Sequence, residues 1–421
     1  MQNSVDLTAQ TALDYTHSLQ VFGIRPGLER VSAVCRALGD PHNDLKIIHV
    51  AGTNGKGSVC AYLAAALQQA GYRVGLYTSP YITSFYERIR LNGQDISPED
   101  YAAAANRVKQ TAERIGVTLT EFEFITAAAF VYYQQQAPDF VVLEVGMGGR
   151  FDATNVVQHP ALTVITSVSL DHTAYLGDTV EQIAFEKAGI LKQGCPCVLA
   201  ADNPDAVRRV VAQRAQELGV PLTVCQPPQE IICTVNGTQF KLAGEQYTAA
   251  LLGLHQANNA AAAVTALQQL GVCEQAIRDG LTSAQNPARL EVLRQKPLIL
   301  LDGGHNEAGG ALLAQSLQQL FPHTQFHVLI GMMRDKDIDG YLRHLIPLCR
   351  QADCVAPQNP RSMPAEELAQ TMQSLGVQSQ PVALNTQTLQ SLCARQTPLL
   401  ICGSLYLAGE VRGQLLKLLK K

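Results

Sequence analysis

The sequence lacks an excess of charge of either sign: lysine and arginine total 32 against 36 aspartate and glutamate, a formal net charge of −4. That balance argues against a nucleic-acid partner, which normally meets a basic excess, and leaves room for a local basic site facing a small anion. Long apolar runs are missing too, since nothing approaches the roughly 18 uninterrupted apolar residues of a membrane span. Met1 to Thr16 carries Asp6 and Asp14 without a basic start and apolar stretch, so no secretory signal is expected. A disulfide framework is absent. The 11 cysteines are odd in number, scattered from Cys35 to Cys402, and the close pair Cys195-Pro196-Cys197 has no CxxC beside it. Ordinary buried thiols in a reducing, cytoplasmic setting are the expectation. With no repeat, low-complexity tract or coiled-coil heptad, a monomer is the default.

What is present suits packed cores: 47% of the 421 residues are apolar and 16% charged, which excludes a wholly disordered chain. At about 150 residues per domain the length predicts two or three domains. Ile47 to Val50 reads as a short buried strand, followed by a glycine-rich turn from Gly52 to Gly57. Val59, Leu63, Ala66 and Leu67 then recur at helical spacing until Gly71, and Arg73 to Tyr77 is a second strand. This is one βαβ unit. Ser97-Pro98-Glu99-Asp100 starts a helix. Phe140 to Leu143 is a continuously apolar strand, as a sheet covered on both faces requires, Leu162 to Val168 is read as another strand, and a helix runs from Asp178 towards Leu191. Cys197 to Ala200 and Leu222 to Cys225 add two more strands.

Near residue 230 the rhythm changes. Ile231 to Val235, Asn236-Gly237 and Thr238 to Leu242 read as a hairpin with a type I′ turn. Helices follow at His255 to Leu270 and Glu274 to Leu281. The polar, proline-ended run Ser283 to Pro287 opens an interdomain linker, taken as 285–296. A second α/β unit then runs through strand Leu298 to Leu301, helix Glu307 to Leu320, strand Phe326 to Ile330 and strand Leu399 to Cys402. Its last helix ends in Lys417, Lys420 and Lys421, which suit the negative end of a helix dipole. The expected architecture is two doubly wound α/β domains, 1–284 and 297–421, with a cleft between them.

Ala51-Gly52-Thr53-Asn54-Gly55-Lys56-Gly57-Ser58 sits where a phosphate loop should, after a strand and opening a helix. Glycines let backbone N–H groups approach phosphate oxygens, the helix N-terminus favours negative charge, and Lys56 can reach the β/γ-phosphates. Two departures from GxxxxGK[ST] are visible: Val50 replaces the first glycine, and Gly57 separates Lys56 from the Ser58 hydroxyl. Glu144 ends an apolar strand, and Asp171-His172 follows the next one. Both fall at the sheet edge where open α/β sheets bind ligands, so they are candidate holders of Mg²⁺. Lys187 alone reads as a solvated surface lysine. Asp302-Gly303-Gly304-His305-Asn306 offers an acid and an imidazole in the second domain.

Taken in order, these motifs resemble the folylpolyglutamate synthase/dihydrofolate synthase family, in the Mur ligase superfamily of ATP-dependent amide ligases. The blocks are Gly52 to Ser58, Thr78-Ser79-Pro80-Tyr81, Glu144 to Asn155, Leu170 to Thr173, Glu186 to Ile190, His255 to Asn259, Ala288 to Glu291, Asp302 to Asn306 and Gly403 to Tyr406. The resemblance spans almost the whole chain. It implies a P-loop Mur-ligase-type ATPase domain followed by a smaller Rossmann-like glutamate-ligase domain. It also implies ATP and Mg²⁺ as cofactors, and dihydropteroate, reduced folates and L-glutamate as substrates.

By the same resemblance Gly52, Thr53, Asn54, Gly55, Lys56, Gly57 and Ser58 hold the ATP phosphates. Ser58, Ser79, Glu144 and His172 match magnesium positions, and Lys187 matches a lysine carbamylated in the family. A carbamate would present oxygens and negative charge to Mg²⁺ where an ammonium would repel it. Asn258 and Arg289 match nucleotide contacts, Asp302 and His305 second-domain residues at ATP and glutamate, and Ser404 and Tyr406 the glutamate itself. Phe124 and Asp152 fall where the pterin-bearing substrate lies, with Ser79 to Gly93 as a flexible cover. Tyr81 stands where a histidine is common after Ser-Pro, and Gly304 where alanine is common before the histidine.

The resemblance implies a bifunctional enzyme that makes dihydrofolate and extends reduced folates; a monofunctional folylpolyglutamate synthase is the alternative. A cell-wall Mur ligase would usually place a nucleotide-sugar domain ahead of the phosphate loop, where fewer than 50 residues stand. A GTPase switch would carry Asn-Lys-x-Asp, which Asp335-Lys336-Asp337 is not. A phosphotransferase acting on a hydroxyl is conceivable from the loop alone.

Overall fold

The computed structural model describes residues 6–23 and 25–419; Lys420 and Lys421 lie outside them. Two compact units emerge. The first comprises Met1–Pro80, Tyr86–Pro227 and Asn258–Ala284, and the second Tyr81–Phe85, Pro228–Ala257 and Gln285–Lys421. No helix among the described residues is long and apolar enough to cross a membrane, and all eleven cysteines are free thiols.

In the first unit the strands are β1 (Ile47–Ala51), β2 (Val74–Tyr77), β3 (Ile89–Leu91), β4 (Gln94–Asp95), β5 (Phe140–Glu144), β6 (Leu162–Ile165), β7 (Cys197–Leu199) and β8 (Leu222–Val224). They form one sheet in the order β4-β3-β2-β5-β1-β6-β7-β8. All pairs are parallel except β2 with β3 and β3 with β4. Strands β1, β5 and β6 are buried along their whole length, which is why they read as largely apolar runs, broken only by His49, Glu144 and Thr163. The chain enters at β1, goes to β2 on one side, returns to place β5 between them, and crosses to β6 on the other. The order reverses at β1, so the carboxyl ends of β1 and β5 frame the crevice where such sheets take ligands.

Helix Lys56–Gln69 covers one face of this sheet, and helix Glu274–Ser283 packs on it at Gly280, where a Cβ would overlap the Ala66 backbone. Ser97 caps helix Pro98–Ile115 through Asp100 N–H at 3.0 Å. Helices Ala9–Ser18, Glu29–Ala37 and Glu121–Gln136 lie outside the expected pattern. The last is buried nearly all round, so its sequence shows no amphipathic period, but Thr120 and Glu123 form a capping box at its start.

The second unit adds β9 (Gln229–Thr234), β10 (Gly237–Leu242) and β11 (Glu245–Ala249), an antiparallel three-stranded sheet. Its main sheet contains β12 (Glu291–Gln295), β13 (Leu298–Leu301), β14 (Phe326–Ile330), β15 (Cys349–Cys354), β16 (Ser379–Pro381) and β17 (Leu399–Cys402). The order is β12-β13-β17-β14-β15-β16, parallel except for the edge pair β12 with β13.

Four expectations change. Residues 228–257 group with the second unit rather than with 1–284, because Leu252 shares a buried core with Leu313 and Leu317. The 285–296 stretch is no free linker, since β12 within it completes the second sheet. The hairpin turn is not type I′. Its loop residues are Val235 and Asn236, and the positive φ falls on Gly237 at +140° instead. Finally, the expected flexible cover ends early, because Ile89–Leu91 is a strand hydrogen-bonded to β2.

Candidate active site

The phosphate loop forms where β1 ends and helix Lys56–Gln69 begins. Gly52 has φ +154° and Gly55 φ +87°, and a Cβ at either would overlap a neighbour, the Thr166 hydroxyl at Gly52 and Asn259 Oδ1 at Gly55. Gly55 is the helix N-cap and supplies no side chain, so the first helical N–H groups stay available to an anion. The segment after β6 holds the loop from the side. Thr53 N–H donates to Ser167 O at 2.7 Å, Thr166 Oγ1 donates to Asn54 O at 2.7 Å, and Thr53 Oγ1 donates to Ser169 O at 3.0 Å. Lys56 Nζ donates to Gly52 O and Thr53 O, both at 3.1 Å, so its ammonium lies over the loop.

Lys187 reads as a surface lysine from its local sequence and as a site residue from the resemblance; it is buried, 3% exposed, and its Nζ donates to Gly52 O at 2.8 Å. Burial, seconded by the Lys56 ammonium and opposed by Asp171 and Asp152, pulls its pKa down to about 7. The end of its helix, Val180–Ala188, is keyed to the loop after β5. Arg150 N–H donates to Glu186 O at 2.8 Å, a Cβ on Gly149 would come within 2.8 Å of the same oxygen, and Asn155 Nδ2 donates to Arg150 O and Gly189 O. The Glu144 to Asn155 motif is therefore a scaffold for Lys187 as well as the carrier of Glu144.

Glu144 is buried at the end of β5, with Ser79 N–H donating to its Oε2 at 2.9 Å. Ser58 is buried in the first turn of the phosphate-loop helix. His172 follows β6 by several residues, is exposed, and takes φ +51° next to Asp171, whose Oδ1 accepts its N–H at 2.9 Å. Among the described residues no three His, Cys, Asp or Glu side chains cluster as a metal cage. A single buried carboxylate fits a Mg²⁺ that draws its remaining ligands from phosphate oxygens and water.

Two expected pterin contacts have other occupations. Phe124 is buried in its helix, edge-on to Tyr15 at 5.4 Å. Asp152 Oδ1 accepts Thr154 N–H at 3.0 Å and Thr154 Oγ1–H at 2.6 Å, while Oδ2 accepts Met147 N–H at 2.9 Å. Burial raises the Asp152 pKa and these bonds oppose the rise. The ring nearer the crevice is Phe122, half-buried over Gly146, where a Cβ would overlap it. Asn258 is half-buried, and the neighbour that reaches Gly55 is Asn259. The polar run Thr166-Ser167-Val168-Ser169 at the end of β6 was the available sequence signal for the loop clamp.

In the second unit Asp302 follows β13 and ties two loops together, Oδ2 accepting Leu290 N–H at 2.8 Å and Oδ1 accepting Gly304 N–H at 2.7 Å. Burial raises its pKa, against the pull of the Arg289 guanidinium. Arg289 stands between Ala288 at φ +56° and Leu290 at φ +47°, two non-glycine residues in the left-handed region. Burial and Arg289 hold His255, from the same unit, down at about 4. His305 is half-buried with Nδ1 3.1 Å from Gly303 O. Ser404 Oγ accepts Tyr406 N–H at 3.0 Å at the start of helix Leu405–Leu419, and the Tyr406 hydroxyl accepts from Arg361 at 3.0 Å.

Comparison with known proteins decides among the readings of this geometry. The Mur ligase middle domain matches residues 50–267, and the Mur ligase glutamate ligase domain matches residues 288–405. The dihydrofolate synthase/folylpolyglutamate synthase of Bacillus subtilis is 36% identical, over 96% of this chain and 99% of that one. The chain belongs to the folylpolyglutamate synthase/dihydrofolate synthase family of Mur ligases. Solved structures of the family match nearly the whole chain. FolC of Escherichia coli in complex with DHPP and ADP gives a TM-score of 0.86 at 32% identity, covering 97% of this chain and 98% of that one. The bifunctional enzyme of Yersinia pestis, complexed with AMPPNP and Mn, gives 0.85 at 33%, covering 99% and 100%.

Proposed function

We propose that this protein is an ATP-dependent, ADP-forming ligase that joins L-glutamate to dihydropteroate and adds further glutamates to reduced folates. The observation that carries this reading is the grouping of the phosphate loop with Glu144, Ser79 and buried Lys187 at the carboxyl ends of β1 and β5, in a chain whose relatives bear both activity names.

An amide does not form from a carboxylate and an amine at neutral pH, because oxide is an impossible leaving group. ATP supplies the phosphoryl group that turns the acceptor carboxylate into an acyl phosphate. The α-amine of L-glutamate forms the C–N bond and loses a proton, and the C–O bond to phosphate breaks to release inorganic phosphate. The protein's share is positioning and charge neutralisation. The amides of Gly52 to Ser58 and the Lys56 ammonium hold the phosphates. Ser58, Ser79, Glu144 and His172 hold Mg²⁺, while Asn258, Arg289 and Asp302 hold the nucleotide. His305, Ser404 and Tyr406 receive glutamate. Phe124 and Asp152 shape the pterin site from behind, Asp152 through the loop it braces.

Lys187 acts as a carbamate. Its pKa of about 7 leaves a large neutral fraction at physiological pH, and the neutral amine is the form that adds to CO₂ with loss of a proton. The product carries negative charge towards the metal site and removes an ammonium from beside Lys56. Free thiols and the balanced charge support a cytoplasmic enzyme, which we take to be a monomer.

The test is ADP release with Mg²⁺ and L-glutamate, comparing 7,8-dihydropteroate with tetrahydrofolate as acceptor. Turnover with both is expected, and Lys56→Ala should remove at least about a thousandfold of it. Turnover with tetrahydrofolate alone would make the enzyme a monofunctional folylpolyglutamate synthase. Near-normal glutamate-dependent ADP formation by Lys56→Ala would overturn the phosphate-loop assignment.

A further inference from the structure

Behind the crevice of the first unit, a buried polar chain runs from the sheet into the loop after β5. His49 is the middle residue of β1 and is 0% exposed. Its Nε2 lies 2.8 Å from Thr154 Oγ1, and Thr154 Oγ1–H in turn donates to Asp152 Oδ1 at 2.6 Å. Proton counting fixes the direction. Threonine has one hydroxyl proton, and here Asp152 takes it, so the same oxygen accepts from His49. His49 therefore carries its proton on Nε2 and leaves Nδ1 as a bare acceptor. Nδ1 is buried with no hydrogen-bond partner, and an orphaned acceptor is tolerated more readily than an orphaned N–H. Burial, with the Lys192 charge adding to it, holds the imidazole down at about 3, so the ring stays neutral and the chain keeps its polarity.

The far end of this chain is the site itself. Asp152 grips Met147 N–H at 2.9 Å, three residues beyond Glu144. The same loop meets the Lys187 helix through Arg150 N–H and Glu186 O at 2.8 Å. An imidazole in the otherwise apolar stretch Ile47 to Ala51 is costly to bury unless its donor is matched, and an aliphatic residue would fill that place more simply.

We propose that His49 is a positioning residue for the ligase reaction: through Thr154 it orients Asp152, which fixes the backbone between Glu144 and the Lys187 helix. The catalytic part of this inference rests on the ligase reading above; the structural part does not. His49→Leu removes the donor and keeps the bulk, whereas His49→Gln offers an amide N–H at comparable reach.

Two readouts test it. Hydrogen exchange by mass spectrometry on the unliganded protein should show residues 145–156 exchanging at least about fivefold faster in His49→Leu, with His49→Gln near wild type and the strands β7 and β8 unchanged. Steady-state kinetics should show the KM for the pteroate or folate acceptor rising about tenfold in His49→Leu, the KM for ATP moving less than about twofold, and His49→Gln recovering most of the loss. Unchanged exchange over 145–156 in His49→Leu would overturn the proposal. So would acceleration spread evenly through the unit, or a Gln variant no better than Leu. If wild type turns over no folate acceptor, the ligase reading fails, and the exchange comparison alone still decides whether His49 holds the loop.

Discussion

Both units set their candidate chemistry just past the carboxyl ends of parallel strands, but they shape the backbone there by different means. In the first unit's phosphate loop the unusual dihedrals fall on Gly52 and Gly55, and the side chains of Thr166 and Asn259 press against the vacated Cβ positions. In the second, Ala288 and Leu290 take left-handed dihedrals on either side of Arg289, and the buried Asp302 carboxylate ties the strained turn to the loop after β13. Glycine makes a tight turn inexpensive and leaves an open backbone for phosphate to approach. A strained non-glycine turn costs roughly 1–2 kcal/mol per residue and persists only where its surroundings over-determine it. The first loop leaves its backbone open, and the second holds Arg289 between two left-handed residues.

The contrast breaks most visibly at Gly52. Gly52→Ala puts a methyl into the Thr166 hydroxyl at φ +154°, so glutamate-dependent ADP formation should fall by at least about a hundredfold while the protein still folds. Activity within about twofold of wild type would show that the close approach is not needed.

Buried charge gives a second, intermediate effect, because both regions bury an ionisable group and push it towards neutrality. Lys187 loses its proton near pH 7 when folded, against 10.5 ordinarily. Between those values the unfolded chain binds the extra proton, so stability rises with pH across the window. The burial penalty is therefore fullest at and below about pH 7. Lys187→Met, compared with wild type in CO₂-depleted buffer, should raise Tm by roughly 2–4 °C at pH 7, with the gain shrinking steadily towards pH 10. A gain independent of pH would mean that Lys187 is not titrating as a buried group.

The smallest effect belongs to the strained turn. Ala288→Gly relieves about 1 kcal/mol of left-handed strain but gives up the burial of one methyl, about 0.8 kcal/mol. Thermal unfolding should shift by less than about 2 °C, in clear contrast to the reverse change at Gly52. A large loss would show that packing of the methyl, rather than strain, dominates there.

Much of the fold was legible in the sequence because parallel, doubly covered strands must be largely apolar; β1, β5, β13, β14 and β17 were found that way. The phosphate loop was legible because its glycines are forced by geometry. Helix Glu121–Gln136 was not, since a helix buried all round shows no period, and neither was β12, whose half-buried residues look like a linker. Of the site, Lys56 and Glu144 could be placed from their strand ends. Lys187 could not, because nothing local marks a lysine as buried when its cover comes from the Gly148-Gly149-Arg150 turn and its acceptor is the Gly52 carbonyl, 135 residues away. The part played by His49 was invisible for the same reason.

The sequence by itself determined the α/β alternation, the phosphate loop and the family, since each is written in local spacing and in the order of motifs. Tertiary structure decided the lowered pKa of Lys187 and the raised pKa of Asp302, the direction of the His49–Thr154–Asp152 chain and the grouping of residues 228–257 with the second unit. The physical reason is common to all of these. Burial, desolvation and hydrogen-bond direction depend on which distant groups are brought together, and no window of sequence contains both partners.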